Sequence, residues 1–365
     1  MREYWISLNS INGLGPVRIQ RLIEFCGSPR SVLETAPQLL AEKKLIMPSC
    51  INEWKINELL DNAHKQLEFC KDNEISVLIK TDEDYPLYLK EIFAPPPVLY
   101  VKGDTKVLSS HALGIVGTRN PSSYGVNCTR AITAKLCEKM VIASGLARGI
   151  DTVAHECCLD KDGKTVAVLG CGVDRIYPAE NKNLAARICQ HGALVSEFPP
   201  GTPPETYNFP RRNRVISGIS RGVLVVEAGL KSGALITANY ALQQNRTVFA
   251  IPGPINSPMS AGTFRLIKDG AVPVSKPEDI FEHLSPVPQV SLFASLPQET
   301  NRPQLCLDEE EKEIWETLSD EPVRIDIIAE QCGKQIPQLL GIMLNLELKG
   351  AVTQISGQQF RRALL

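Results

Sequence analysis

The stretch FPRRNRVISGIS, residues 209–220, places Arg211, Arg212 and Arg214 within four positions, directly behind an aromatic ring. No acidic residue occurs between Glu205 and Glu227, and Arg221 adds a fourth positive charge to that interval. A guanidinium forks two hydrogen bonds onto a phosphate or carboxylate and keeps its charge at any physiological pH. Tyr207 and Phe209 supply flat faces beside it. The 365-residue chain has a formal net charge of −2, so an anion site of this kind must be local.

Three other stretches carry a cation beside a glycine-containing turn that leads into a helix. They are GIVGTRNPSSYG (114–125), with Gly117, Thr118 and Arg119; ASGLARGIDTVAH (143–155), with Arg148; and VVEAGLKSGALITA (225–238), with Lys231, Ser232 and Gly233. Backbone N–H groups at a helix start favour an anion. One such turn is ordinary, whereas several on one edge suit a polyanion. Arginines that follow phosphates, with rings that stack bases, make up the general chemistry of single-strand nucleic-acid binding. Thr118, Ser122 and Ser123 are capping candidates. Asp151 and His155 read as capping and packing residues. Glu227 reads as a helix-terminus partner or as a partner for Arg212 or Arg214. Asp174 has no paired nucleophile, and Tyr177-Pro178 reads as a stiff surface corner. The G-x-G-x-x-G fingerprint is absent from the first turn, and no cofactor is expected.

These turns need a scaffold. Short apolar runs at ALGIVG, MVIAS, TVAVLG, ALVSE, GVLVVEA and TVFAIPG alternate with helical candidates near 123–139, 150–160, 181–191, 233–244 and 260–268, and AVPVS is a further strand candidate. Continuous apolar strands of this type belong to a parallel sheet covered on both faces. The expected class is α/β, an extended Rossmann-like, doubly wound sheet over residues 76–284, with short strands also plausible in its first part around SVLIK and VLYVKG. Ligands should gather beyond the carboxyl ends of its strands, at the switch in strand order. Residues 1–75 read as a small helical (helix-hairpin-helix/SAM-like) module: Gly13 and Gly15 separate two helices, and Pro16 suits the first turn of the second. That turn could hold a phosphate, supported by Arg18 and Arg21 alone, or the module could simply pack against its neighbour. Residues 285–304, with four prolines, read as a connector.

Eleven cysteines without a C-x-x-C spacing and five scattered histidines give no disulfide framework and no metal site, which fits a reducing cytoplasm. Neither a signal peptide nor a membrane span is expected.

Taken together, GIVGTR…SSYG, ASGLARGIDTVAHECCL, GCGVDRIYPAENKNL, VSEFPPGTPPETYNFPRRNRVISGIS, VVEAGLKSGALITA and VFAIPG resemble the bacterial DNA-processing protein A family (DprA/Smf) over about residues 80–275. The resemblance implies a homodimeric single-stranded DNA-binding protein that protects incoming DNA and loads the RecA recombinase during natural transformation, without catalytic turnover. Carried over by position, it makes Arg119, Phe209, Arg212, Asn213, Arg214, Lys231, Ser232 and Gly233 DNA-contact candidates. Gly117, Thr118 and Arg148 join them from the reading of the turns, and Arg211 from the arginine run, although it falls at a more variable position of the family. Ala234 and Asn245 depart from the family's common Ser and Gly; Asn tolerates a left-handed backbone, so the same turn is expected at Asn245. A nucleotide-hydrolase alternative would need a second carboxylate in the turn that here reads EAGLKSGALITA.

Residues 305–365 have a winged-helix outline with eleven acidic residues against six basic ones. A helix that enters the major groove needs flanking cations. IPQLLGIMLNLELKG has none before Lys349 and is rich in leucine. This module is therefore expected to bind protein or regulate the main domain rather than hold duplex DNA.

Overall fold

The computed structural model describes residues 1–284, 308–318, 323–349, 351–355 and 359–362. The connector expected over 285–304 lies outside the described residues. The chain forms two compact units, Met1–Pro288 and Gln289–Leu365.

The first unit opens with five helices: α1 (Arg2–Ser10), α2 (Pro16–Cys26), α3 (Pro29–Glu34), α4 (Pro37–Glu42) and α5 (Ile56–Asp72). There follow β1 (Ile75–Ile79), α6 (Leu87–Lys90), β2 (Val98–Gly103), β3 (Ala112–Val116), α7 (Ser123–Leu136), β4 (Val141–Ser144), α8 (Ile150–Leu159), β5 (Thr165–Val168), α9 (Lys182–His191) and β6 (Ala193–Ser196). The unit ends with α10 (Asn208–Ile219), β7 (Gly222–Val225), α11 (Gly233–Gln243), β8 (Thr247–Ala250), α12 (Ala261–Lys268), β9 (Val272–Pro273) and α13 (Pro277–Leu284).

One nine-stranded sheet runs in the order β1-β2-β6-β5-β4-β3-β7-β8-β9. From β6 to β9 all pairs are parallel, while β1–β2 and β2–β6 are antiparallel. The chain begins the parallel part at β3, winds outward through β4, β5 and β6, then returns to the other side of β3 for β7 and β8. The switch in strand order therefore lies between β3 and β7. Strand residues alternate between the two faces, as the pleat requires. Leu99 and Val101 point into the core shared with Leu89, Val215, Ile216, Ile219 and Ala238, whereas Val98 and Tyr100 point into the core of the helical module. On that second face, Leu113, Ile115 and Leu224 pack with Ile132, Leu136, Ile150 and Ala154.

The helix α10 is a difference from the sequence reading, which left 209–220 as a basic run that continues into an apolar segment packed on the sheet. Its inward positions are Asn208, Arg212, Val215, Ile216 and Ile219, a helical spacing whose first turns are polar. Counting apolar residues alone starts the pattern at Val215, too late for a helix. Burying Val215, Ile216 and Ile219 contributes about 1.5–3 kcal/mol each, which holds the arginine-bearing turns against the sheet.

In the helical module, α1 and α2 are joined by a turn in which Gly13 has φ +86°. The Glu53 carboxylate accepts from the Asn12 N–H at 2.7 Å, and Arg18 donates to the Gly13 carbonyl at 2.8 Å. The Asn12 N–H of this turn is thus already engaged by a carboxylate.

The second unit contains α14 (Glu309–Thr317), β10 (Val323–Arg324), α15 (Ile325–Cys332), α16 (Ile336–Leu348), β11 (Val352–Ile355) and β12 (Gln359–Arg362), with strand order β10-β12-β11. Its own core includes Ile314, Ile328, Leu339, Met343, Leu346 and Phe360. Among the described residues no helix is long and apolar enough to cross a membrane.

Candidate nucleic-acid interface

A cleft of about 550 Å³ opens at the switch point. The turn after β3 gives it Gly117, Thr118 and Arg119; α10 gives Phe209, Arg212 and Asn213; the turn after β7 gives Lys231, Ser232 and Gly233. Nine residues singled out from sequence thus line one cleft. Arg148 lines an adjoining recess of about 160 Å³ with Arg119, Tyr177, Phe209 and Arg212. Arg211 and Arg214 are outside both linings.

The turns are fastened to one another by backbone. Thr118 N–H donates to the Glu227 carbonyl at 2.8 Å, and Ile150 N–H donates to the Thr118 carbonyl at 3.2 Å. Gly149 has φ +81°, and a side chain there would lie 2.4 Å from the Thr118 carbonyl oxygen, so only glycine lets the second turn lie on the first. Ser122 caps α7 by accepting from Gly125 N–H at 3.1 Å, and Ser232 caps α11 by accepting from Ala234 N–H at 3.3 Å. The Glu227 side chain accepts from Ser122 N–H and from its hydroxyl, at 2.9 and 2.5 Å. This is the helix-terminus role foreseen for it; it holds neither Arg212 nor Arg214.

The arginines divide sharply. Arg212 is only 6% exposed. Its Nη1 donates to the Gly145 carbonyl at 2.6 Å and also to the Val168 carbonyl, while Nε donates to Asn213 Oδ1 at 3.2 Å. It therefore ties together the ends of β4 and β5. Burial lowers its pKa to about 10 even with Asp151 nearby. The same burial raises the pKa of Asp151, which accepts from Gly145 N–H at 3.1 Å and Ala147 N–H at 3.4 Å. Arg214 donates to the Ala94 carbonyl at 2.5 Å and to the buried Glu197 carboxylate. Arg211 is exposed and lies over the Phe198 ring, 5.4 Å from its centroid. Arg148 makes a two-pronged pair with Glu180, both contacts at 2.7 Å, which raises its pKa. Arg119 and Lys231 are exposed, and among the described residues neither has a carboxylate partner within 4 Å.

Phe209 is half-buried, with its ring 5.5 Å from that of Tyr177 at an interplanar angle of 36°. A side chain at Gly170 would lie 2.8 Å from the Phe209 ring, so the strand-end glycine leaves that ring its place. Tyr177, read from sequence as a surface corner, lines both hollows; its position after the end of β5 is the signal that could have found it. Tyr207 is 64% exposed and outside the lining. Beneath the cleft, His155 is fully buried, with Nδ1 2.7 Å from Thr165 Oγ1. That hydroxyl donates to the Ile142 carbonyl at 2.7 Å, so His155 Nδ1–H is the donor of the pair. Nε2 has no partner, and burial pushes the imidazole pKa down to about 3. Asn245 has φ +56°, the left-handed turn expected for it.

The cleft offers two exposed cations, N-capped helix starts and two rings, a set suited to a flexible polyanion with flat bases. A family model described as DNA recombination-mediator protein A matches residues 76–285, and one described as DprA winged helix domain matches residues 298–358. Protein Smf of Escherichia coli (strain K12) is 43% identical over 294 residues, 78% of this chain and 77% of that protein. DNA processing protein DprA of Bacillus subtilis (strain 168) is 40% identical over 265 residues, 72% of this chain and 89% of that protein. An X-ray structure of DNA processing protein A from Streptococcus pneumoniae superposes with a TM-score of 0.62 at 32% identity, covering 77% of this chain and 98% of that one. A structure of the Helicobacter pylori protein, described for its single-stranded DNA binding mode, gives a TM-score of 0.53 at 32% identity, with 58% and 95% covered.

Proposed function

The chain belongs to the DNA recombination-mediator protein A family, and from that membership and the chemistry of the cleft we propose that it binds single-stranded DNA, protects incoming strands and loads RecA during natural transformation. The observation that carries the reading is the pair of exposed cations, Arg119 and Lys231, on the two turns that flank the switch point, in a cleft that Phe209 also lines. Phosphates would meet Arg119, Lys231 and the N–H groups near Thr118, Ser232 and Gly233. A base would lie against Phe209 and Tyr177. Arg212 and Arg214 hold the walls, Asn213 faces the cleft, and Arg148 joins once Glu180 releases it. A homodimer through the α/β unit and a cytoplasmic setting complete the proposal. No turnover is included: the turn that reads EAGLKSGALITA carries no second carboxylate beside Glu227.

A mobility-shift titration with single- and double-stranded DNA over a salt series tests the binding. Preference for the single strand and a steep loss of affinity with salt are expected. Equal affinities or a flat salt response would rule it out. A RecA-dependent strand-exchange assay tests the loading step.

A further inference from the structure

In the second unit, α16 buries Leu339, Met343 and Leu346 and turns Ile336, Leu340 and Leu344 outward, at 41%, 38% and 57% exposure. Positions four apart lie on one side of a helix, so the three form a stripe of about 12 Å along the axis. Beside it, Gly341 has nothing within 4 Å of where a Cβ would stand, which leaves an open step along the stripe. No charged residue lies on α16 before Glu347. An apolar face of this kind is a docking surface for another helix read at intervals of three and four residues.

The charge of the unit as a whole decides what fits. Apart from the exposed Lys312, the described basic groups of this unit are largely engaged inside it. Lys334 donates to Glu310 at 2.6 Å, Lys349 pairs with Glu311, and Arg324 lies 3.2 Å from Asp326. Arg362 donates to the Trp315 and Glu316 carbonyls and covers the Trp315 ring. Glu309, Glu313, Glu316 and Glu330 are exposed. A negative field repels phosphate chains and anionic lipid, and it repels a second copy of the same face.

We propose that α16 is the docking face for a helical segment of another protein, one that carries apolar residues at intervals of three or four flanked by lysine or arginine. The test places a photo-cross-linking amino acid at Leu344 in the full-length chain, irradiates living cells and sequences the attached peptide by mass spectrometry. The expected peptide comes from a different protein, has net positive charge and shows the helical apolar spacing, and Leu340→Glu lowers its yield at least fivefold. Single-stranded DNA affinity and helical content should be unchanged in that variant; if it misfolds, Leu340→Gln replaces it. Attachment to DNA, to lipid, to a second copy or to residues 285–307 of the same chain overturns the proposal. An acidic peptide, a yield indifferent to the substitution, or no cross-link at all does the same.

Discussion

Two parts of this molecule have the outline of a nucleic-acid reader. One is the strand-end edge at the β3–β7 switch, the other the third helix of the winged-helix unit. Their electrostatics are opposite. The sheet edge sets Arg119 and Lys231 in solvent beside capped helix starts. The α16 face sets Ile336, Leu340 and Leu344 there, on a unit whose sequence carries more acidic than basic residues. Outline alone therefore assigns nothing: the charge that remains unengaged after internal pairing separates a polyanion site from a protein site.

The same separation applies within the sheet edge, and its sharpest test concerns Arg212 against Arg211. Arg212→Met leaves the buried Asp151 without its nearby cation and the Gly145 and Val168 carbonyls without a donor. Each buried carbonyl left without its donor costs about 1–3 kcal/mol, readable by urea unfolding. Arg211→Ala, at an exposed position, should stay within about 0.5 kcal/mol. Arg119→Ala combined with Lys231→Ala should lower single-strand affinity by about 100-fold, from charge-assisted bonds of about 1–3 kcal/mol each, with the fold unchanged by circular dichroism.

A pH series tests the buried layer beneath the cleft. The folded His155 pKa is depressed to about 3, so below its ordinary value of about 6.5 the unfolded chain takes up a proton that the folded one refuses. Stability then falls with acidification by about 1.4 kcal/mol per pH unit, or about 2 kcal/mol between pH 6.5 and pH 5. Asp151, raised by burial, acts in the opposite sense. Comparison of wild type with His155→Asn, in which Asp151 is retained, isolates the imidazole contribution.

The two smallest effects sharpen the comparison most. Glu180 holds the Arg148 fork in the manner of a phosphate, but both groups are more than half exposed and the pair is weak. Glu180→Gln should tighten single-strand binding about three-fold, and the gain should vanish in an Arg148→Gln background. Deletion of the chain after Pro288 should change single-strand affinity less than two-fold. A ten-fold loss on deletion would make the second unit a DNA reader after all.

Most of the doubly wound sheet was legible because its strands are short, continuous apolar runs separated by glycine turns. Five helices were legible as the segments that lie between those strands. The helix α10 was not, because its inward face begins with Asn208 and Arg212. The turns that form the cleft were legible from their residue types. The direction of each arginine was not, since the carbonyls that capture Arg212 and the carboxylate that captures Arg214 lie far away in sequence. Tyr177 was missed for a related reason: it reaches the cleft only because β5 ends beside α10.

The antiparallel pairing of β2 with β6 has a bearing on self-association. Without β2, the parallel sheet would end at Ala193–Ser196, four buried residues with an open row of N–H and C=O groups. Such an edge is a template for strand addition by other chains. The chain up to Gly103 thus serves as an insulating border, and a shortened chain that lacks it would be prone to edge-to-edge aggregation even with every cleft residue intact.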